Sequence, residues 1–189
     1  MRNLPAVLGL IALLLGAAPV TSQAADWKSD PAGSKLEFSA TFEGSPVPGV
    51  FKEFSARLRL DPDGPAAGSL EVTVKVASAD MSIADVDREI ATKGWFDYAA
   101  FPQAEFRSEE LRRVADNRYM ARGTLSLKGA RQTVEVPFTF AGSGSTATIE
   151  GELTLKRGAF GIGTGEWAAT DVIGADVKVR FKVKLVKSG

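Results

Sequence analysis

Apolar and polar residues alternate with a period of two along most of this chain, which is the pattern of strands that bury one face. The clearest segment covers residues 70–76 and reads LEVTVKV, with Leu or Val at every second position. A similar alternation marks further segments, at residues 36–42, 54–60, 104–111, 119–127, 134–140, 149–155 and 177–185. The pattern therefore predicts an all-β chain of about eight strands, each with one apolar face.

The connections between these segments are mostly short and rich in turn-forming residues. Residues 61–65 read DPDGP, and residues 128–130 are short enough for a hairpin loop. Short turns join antiparallel neighbours, and eight such strands can close into a barrel that holds one small ligand. Gly123 and Gly151 fall on inward positions, where a barrel strand bends sharply or leaves space. We expect an eight-stranded antiparallel barrel, with a two-sheet sandwich as the alternative.

The alternation stops between Ser78 and Phe106. Residues 85–92 have apolar side chains at roughly helical spacing and acidic residues near the N-terminal end, and Gly94 is suited to end this short helix. An aromatic cluster follows directly, at Trp95, Phe96, Tyr98 and Phe101. A strand-rich chain accommodates a helix and an aromatic cluster most simply at one end of a barrel. We therefore expect a short helical insertion that caps one end as a lid or plug.

The first 24 residues are typical of an export signal. Arg2 precedes an apolar run from Leu4 to Ala18, and Ser22 and Ala24 are small residues at the spacing of a cleavage site. The run is short for a membrane span, although a retained anchor is the alternative. We expect cleavage after Ala24, a single mature domain at residues 25–189, and a location in the periplasm.

The sequence contains no His and no Cys, and its 23 basic and 23 acidic residues give a formal net charge of zero. A nucleic-acid partner would require a basic surplus, so none is expected. Without His and Cys, the chain lacks the usual zinc and copper ligands and the usual base for proton transfer near neutral pH. No Ser is accompanied by a recognisable base. Composition therefore predicts a protein that is not an enzyme, with no metal site and no cofactor.

Several motifs along the chain resemble those of the YceI-like family of bacterial periplasmic lipid-binding proteins. They are Gly49-Val50-Phe51, Trp95-Phe96-Asp97, the run GTLSLKG at residues 123–129 and the run RGAFGIG at residues 157–163. Residues 163–167, GTGEW, make the chain look most like the branch whose domains also occur fused to membrane cytochromes of the b561 type. The resemblance implies a lipocalin-like eight-stranded barrel that binds a polyisoprenoid or similar amphiphile in an apolar lumen.

The apolar strand faces supply the candidate lipid-binding residues. Those expected to point inward are Phe38, Phe42, Phe54, Leu58, Phe106, Val136, Phe138, Phe140, Leu153, Leu155 and Phe181. From the residues alone, these side chains could equally fill a solid core; the resemblance favours a lined channel for about half of them. Burial of each CH₂ group contributes roughly 0.8 kcal/mol, so a prenyl chain of a few units needs no specific polar contact.

A second group of candidates lies near the expected mouth of the barrel. Arg88 could meet an anionic or quinone head group, because guanidinium groups favour oxyanions, and Arg157 is a similar candidate. The alternative for Arg88 is an ion pair with a neighbouring carboxylate. Trp95, Phe96 and Trp167 are expected to form the lid, either as ligand contacts or as a structural plug.

Two functions remain open at this stage. The first is transport or sequestration of an isoprenoid lipid or isoprenoid quinone by a periplasmic monomer or homodimer. The second is a structural or interaction module with a solid barrel that acts through its surface, for example against a membrane cytochrome. A filled interior would favour the second function, and a hollow apolar interior would favour the first.

Overall fold

The structure, a computed structural model, describes residues 24–61 and 68–188, and residues 1–23 of the predicted leader lie outside this part of the chain. The strands in it are β1 (Ala25–Ser29), β2 (Lys35–Phe42), β3 (Ser45–Phe51), β4 (Phe54–Leu60), β5 (Ser69–Lys75), β6 (Ala79–Asp80), β7 (Gln103–Ala115), β8 (Arg118–Leu127), β9 (Ala130–Ser143), β10 (Thr146–Lys156) and β11 (Asp176–Lys187). The helix α1 covers Ala84–Ile90, close to the predicted range. Short 3₁₀ turns occur at Val76–Ser78, Arg157–Phe160 and Gly165–Trp167.

All of these strands belong to one antiparallel sheet that closes on itself. β1 and β2 both pair with the same edge of β11, so together they form the first wall strand. β3 and β4 form the second wall strand, and β5 and β6 form the third. With β7 to β11 the wall has eight strands, each beside its neighbour in sequence, and β11 closes the barrel against the first. The predicted eight-stranded barrel is confirmed, and the two-sheet sandwich is wrong.

The backbone ladder has a gap between the first and second wall strands, which we call the wall gap. β1 pairs with β4, and β2 pairs with β3. Residues 29–36 and 51–56, which lie between these two ladders, form no backbone pair with each other. Across the wall gap, the Ser29 hydroxyl accepts a hydrogen bond from the Ala56 N–H at 2.9 Å. The wall gap follows from the turn at residues 30–34, which carries the chain out of register between β1 and β2.

A second interruption lies between β9 and β10. Their ladder ends at the pair Thr139 and Glu150, although β10 stays paired with β11 as far as Lys156. Gly151 lies directly beyond the last pair, and a Cβ atom there would stand 2.2 Å from the Pro137 carbonyl oxygen and 2.5 Å from the Phe181 ring. The predicted inward glycine is therefore required by the close approach of a neighbouring strand and ring.

The interior is filled at the end of the barrel where β1 joins β4 and β11, which we call the packed end. The rings of Trp27 and Phe140 lie with centroids 5.6 Å apart, and those of Tyr119 and Phe138 also 5.6 Å apart. Leu58, Leu60, Leu111 and Leu185 are fully buried around them. Burial of each such side chain contributes about 1.5–3 kcal/mol, so the packed end carries much of the stability.

The opposite end is occupied by the lid, which consists of residues 81–102 and 157–174 and contains α1. Ile90, Phe160 and Ile162 are buried beneath its surface. The two lid segments are joined through the Gly94 carbonyl, which accepts hydrogen bonds from the Gly163 N–H at 2.9 Å and the Thr164 N–H at 3.0 Å. This arrangement confirms the predicted helical insertion at one end of the barrel.

Lys128, in the turn between β8 and β9, fastens the lid to the barrel rim. Its ammonium group donates to the carbonyl oxygens of Lys93 at 2.8 Å and Gly161 at 2.5 Å, one in each lid segment. Burial lowers the pKa of Lys128, while the nearby Asp97 carboxylate acts in the opposite direction. The lid is thus held to the barrel by polar contacts as well as by apolar packing.

Candidate functional site

A cavity of about 150 Å³, the lumen, lies inside the half of the barrel nearer the lid. Every side chain that lines it is Ala, Val, Leu, Ile or Phe. The predicted lipid-binding residues that line it are Phe54, Phe106, Val136, Leu153, Leu155 and Phe181. These six come from strands spread around the wall, and the closure of the barrel brings them together. A lumen with this lining can hold an apolar group and offers no polar side chain to orient one.

The remaining lining residues were not singled out from the sequence. They are Leu36, Phe51, Ala56, Leu70, Val72, Val74, Ala104, Leu125, Leu127, Val134, Ile149, Val179 and Val183. Most are aliphatic residues on the same alternating faces as the predicted ones, so the alternation could have found them. The prediction favoured large aromatic side chains, which fill space, whereas smaller aliphatic side chains leave it open.

Three predicted residues belong to the packed end instead of the lumen. Leu58 is 1% exposed and Phe138 is 3% exposed within the filled core, and Phe140 packs against Trp27 and Tyr119. They are on the inward faces of their strands, as predicted. Their position along the barrel axis places them below the lumen, and a period of two carries no information about that axis.

Phe38 and Phe42, on β2, also lie outside the lumen. Phe38 is buried over Gly49 of β3, with its ring centroid 4.9 Å from that of Phe51. Phe42 is 44% exposed at the end of β2, where it forms an isolated bridge with Ile173. Phe38 lies opposite Val179, which lines the lumen, and the Phe51 ring lies beside it. Phe42 lies beyond the last pair of β2 with β11, which is Ser39 with Lys178.

Trp95 and Trp167 meet over a single carboxylate in the lid. The indole N–H groups of Trp95 and Trp167 donate to Oε1 of Glu89 at 3.1 Å and 3.0 Å, and the ring centroids are 6.1 Å apart. Neither ring lines the lumen. The two predicted lid tryptophans therefore join α1 to the 157–174 segment, which is the structural plug considered from the sequence.

Phe96 connects the lid to the lumen wall. Its ring makes an edge contact with Phe51, at a centroid distance of 6.2 Å, and stacks on Tyr98 at 6.1 Å. The Tyr98 hydroxyl is buried and has no hydrogen-bond partner among the described residues. Its burial, with a smaller contribution from Asp87, raises the pKa of Tyr98 to about 12. The lid thus contains a buried hydroxyl that makes no hydrogen bond to any described residue.

Arg157, predicted to face a head group, is 4% exposed and saturated by the main chain. Its five N–H donors point to the carbonyl oxygens of Ile162, Gly163, Ala169, Ile173 and Gly174, at distances between 2.8 and 3.0 Å. Burial lowers the pKa of Arg157, although an arginine remains charged at neutral pH. Any contact with a ligand would break one of these bonds, so Arg157 organises the second lid segment.

Arg88 lies on the outer surface of α1, where its side chain is 74% exposed and ion-paired with Asp85. This pair is the alternative that the sequence had left open for Arg88. Arg88 does not line the lumen. A head group bound inside the barrel would not meet Arg88 in this arrangement.

The described residues contain no group of three His, Cys, Asp or Glu side chains placed to hold a metal ion. In residues 24–61 and 68–188, no helix combines the length and the apolar character that a membrane span requires. Basic side chains on β11 form ion pairs with acidic side chains on β10: Arg180 pairs with Glu152 at 2.6 Å and Lys182 pairs with Glu150 at 2.7 Å. The lumen is therefore the feature of the described chain that offers a binding function.

The family model described as YceI-like domain matches residues 27–185 of the chain. A UPF0312 protein of Photorhabdus laumondii is 32% identical over 143 residues, which cover 73% of each chain. A UPF0312 protein of Pseudomonas savastanoi is 30% identical over 165 residues, which cover 81% of this chain and 86% of the relative. The residues that match the family extend from β1 to β11 and so include every strand of the barrel wall.

Two solved structures share the architecture. The crystal structure of Burkholderia cenocepacia BcnA is 38% identical, covers 82% of this chain and 98% of its own, and superposes with a TM-score of 0.80. A polyisoprenoid binding domain from Saccharophagus degradans, implicated in plant cell wall breakdown, has a TM-score of 0.68 at 14% identity and covers 86% of this chain and 98% of its own. The second similarity, at this identity, shows the fold alone.

Proposed function

Because this chain belongs to the YceI-like family, we propose that it binds a long-chain isoprenoid amphiphile, either a prenyl lipid or an isoprenoid quinone, in the barrel lumen. The protein would carry or sequester this molecule in the periplasm without catalysing a reaction on it. The observation that carries the proposal is the lumen, a cavity lined by apolar side chains alone in a barrel whose other half is filled. A solid structural module would have no need for this space.

The chemistry of the lumen suits a prenyl chain. Each CH₂ group moved from water into an apolar site contributes roughly 0.8 kcal/mol, so a chain of a few isoprene units gains enough free energy without a polar contact. The Saccharophagus degradans structure with the same fold is described as a polyisoprenoid binding domain, which supports the same class of ligand here. Such a site would select ligands by length and girth.

The size of the lumen sets a condition on this function. A cavity of about 150 Å³ is comparable to an engineered protein cavity that binds benzene, whereas pockets for larger ligands measure roughly 300–1,000 Å³. A long chain therefore requires the lumen to widen or the chain to extend into neighbouring space. We expect bound and free forms to differ in the side chains around the lumen.

Native mass spectrometry of the mature protein, purified from a bacterial envelope and followed by organic extraction, tests the proposal directly. A stoichiometric adduct that extracts as one apolar species supports it. A bare polypeptide mass that is unchanged after incubation with prenyl lipids and quinones contradicts it. That result would favour the surface-interaction module, for which capture of a membrane cytochrome is the corresponding test.

A matched pair of variants places the ligand. Val179 lines the lumen from β11, and its neighbour Lys178 points outward. We expect Val179→Trp to fill the lumen and reduce the bound fraction of the adduct at least tenfold, because the indole replaces the volume that the ligand would occupy. Lys178→Trp should leave the fraction unchanged. Equal retention of ligand by both variants, with both folded by circular dichroism, would place the ligand outside the lumen.

A further inference from the structure

A second cavity, of about 290 Å³, lies at the wall gap between the first and second wall strands. It shares three lining residues with the lumen, namely Leu36, Phe51 and Phe54. Its remaining lining includes the charged residues Lys35, Glu37 and Lys52. The lumen and the outer surface therefore meet at one place where an apolar lining changes to a charged one.

The other routes into the lumen are obstructed. The packed end is filled by Trp27, Tyr119, Phe138 and Phe140. The lid is held to the barrel by the hydrogen bonds of Lys128, by the Glu43 N–H bond to the Val172 carbonyl at 2.8 Å and by the Gly174 N–H bond to the Thr41 carbonyl at 2.9 Å, all of which must break before the lid can lift. Strands in a barrel wall are normally held by a continuous ladder, which is missing where residues 29–36 face residues 51–56. Separation of the wall at this gap breaks no bond of a backbone ladder.

One cation at the wall gap, Lys35, has no carboxylate partner among the described residues. Lys35 is exposed and makes no ion pair with any described residue, and Lys52 lies across the gap with its side chain 64% exposed. Lys52 is ion-paired with Asp80, which raises the pKa of Lys52 by hydrogen bonding and charge attraction. Glu37 is the carboxylate in the lining, and Lys184 nearby is occupied by Asp30 at 3.0 Å. Lys35 is thus available to an incoming anion.

We propose that the wall gap is the entrance to the lumen, and that an anionic head group, a phosphate or carboxylate on a prenyl or alkyl chain, is held there by Lys35, beside the Lys52–Asp80 ion pair. The chain passes between Leu36, Phe51 and Phe54 into the lumen. This inference rests on the proposed lipid-binding function and adds the position, charge and entry path of the ligand. It also supplies room that the lumen alone lacks, because the two cavities adjoin.

The interruption between β9 and β10 is a less suitable entrance. Its margins alternate apolar and polar residues, with Val134 on one strand and Leu153 on the other lining the lumen. The Gln132 side-chain N–H₂ group donates to the Ala159 carbonyl at 3.1 Å and ties β9 to the lid beside it. Its cations are Arg131 on β9 and Lys156 on β10, and Lys156 is ion-paired with Asp176. The second cavity, which adjoins the lumen, is lined by no residue of β9 or β10.

The head group is tested with farnesyl phosphate and farnesol, which share a chain and differ in charge. We expect Lys35→Glu to weaken binding of farnesyl phosphate roughly tenfold or more, because a charge reversal at contact distance replaces attraction by repulsion, and to leave farnesol binding unchanged. Arg122→Glu, with the same charge change on β8, is the control and should affect neither ligand. Equal weakening of both ligands by Lys35→Glu would overturn the head-group assignment. Displacement of farnesyl phosphate by inorganic phosphate alone would reassign the site to free phosphate.

The entry path is tested by blocking it, which is unambiguous because the chain contains no Cys. Lys35→Cys is alkylated either with an aminoethyl reagent, which restores a lysine-like charge, or with a bulky neutral maleimide. We expect the bulky label to slow association of tritiated farnesol at least tenfold relative to the aminoethyl form. The same label on Lys93→Cys in the lid and on Thr154→Cys beside β9 should leave the rate unchanged.

The outcomes separate the two proposals. If the labels on Lys93→Cys or Thr154→Cys slow association and the label on Lys35→Cys does not, the entrance lies elsewhere while the lipid-binding function stands. If the unlabelled protein binds neither farnesyl phosphate nor farnesol, the proposed function fails, and the entrance fails with it. Slow association confined to the label at residue 35 supports both.

Discussion

At the scale of single residues, the lid contains one buried side chain whose donors are all hydrogen-bonded and one whose hydroxyl makes no hydrogen bond to a described residue. Arg157 is buried, yet each of its N–H donors has a carbonyl acceptor. The Tyr98 hydroxyl is buried without a partner in the described part of the chain. A saturated guanidinium rigidifies the segment around it, whereas an unpaired buried hydroxyl costs stability. The two residues therefore have opposite expected effects on the lid.

Tyr98→Phe should stabilise the protein by about 1 kcal/mol at neutral pH, because it removes an unpaired buried hydroxyl and keeps the stacked ring. The pKa of Tyr98 is about 12 in the folded state and 10.0 without the protein environment. Ionisation of Tyr98 therefore leaves the free energy of unfolding unchanged below about pH 10 and lowers it as the pH rises from about 10 to 12, because the unfolded chain releases the proton first. Urea unfolding across this range should show a steeper loss for the wild type than for Tyr98→Phe.

Parallel pH profiles of the two proteins would contradict this account of Tyr98. Absorbance titration of tyrosinate provides the control, because the chain has only two tyrosines and Tyr98→Phe leaves Tyr119 alone. The difference between the two titrations then belongs to Tyr98. A midpoint near 10 for that difference would show that the hydroxyl is solvated.

At the scale of elements, the strands were predictable because each carries its period of two in its own residues. Their interruptions were not, because β1 and β2 are divided by a turn whose effect depends on pairing with β11. The same limit applies to Phe42, which continues the alternation of β2 but lies beyond the point where β2 faces the barrel centre. The local alternation identifies the apolar face of a strand, and strand pairing decides which residues that face contacts.

Gly151→Ala tests the close approach of β10 to its neighbours. The added Cβ would lie 2.2 Å from the Pro137 carbonyl oxygen and 2.5 Å from the Phe181 ring. We expect a loss of about 2 kcal/mol in the free energy of unfolding, because a backbone oxygen cannot move away cheaply. Phe181 lines the lumen, so ligand binding should weaken in the same variant.

Gly158→Ala is the matched control, since a Cβ at Gly158 meets no atom within 4 Å. Its expected effect is within about 0.5 kcal/mol of zero, as for other unstrained surface changes. A Gly151→Ala protein as stable as the Gly158→Ala protein would show that the strands separate easily at this position. Chemical denaturation of the two variants under one condition makes the comparison.

At the scale of the whole molecule, the two halves of the barrel have different interiors. The packed end has an aromatic and leucine core, and the half nearer the lid encloses empty apolar space. A cavity forfeits packing energy, and the lost contacts are tolerated because the packed end supplies the stability. The division lets the barrel keep an apolar cavity without a disulfide, since the chain has no Cys.

Hydrogen exchange should report this division. We expect backbone amides in residues 29–36 and 51–56, at the wall gap, to exchange faster than those in residues 57–60 and 183–187, at the packed end. The reason is the missing ladder across the gap and the full burial of Leu58, Leu60 and Leu185. Mass spectrometry of peptides spanning these ranges makes the measurement, and equal protection would mean that the wall gap does not open.

The candidate site shows how far sequence reasoning could reach. The apolar faces of the lumen were identified from alternation, and Phe54, Phe106, Leu153 and Phe181 line it as expected. Leu58 and Phe138 have the same alternation and fill the packed end, because height along the barrel axis depends on strand tilt and register. The guanidinium group of Arg157 is of a kind that binds anionic head groups, and only the structure shows that main-chain carbonyl oxygens occupy its donors.

The sequence by itself determined eight of the eleven described strands, their apolar faces, the helical lid and the absence of His and Cys, because each of these depends on local residue order or composition. Tertiary structure decided which side chains surround space and which fill it, where the wall gap falls, and which charged groups flank that gap. Those features depend on the approach of residues far apart in the chain, such as Leu36 and Phe54 or Lys35 and Lys52, which line one cavity. The proposed function and the proposed entrance depend on that placement, since the lumen exists only when the sheet has closed.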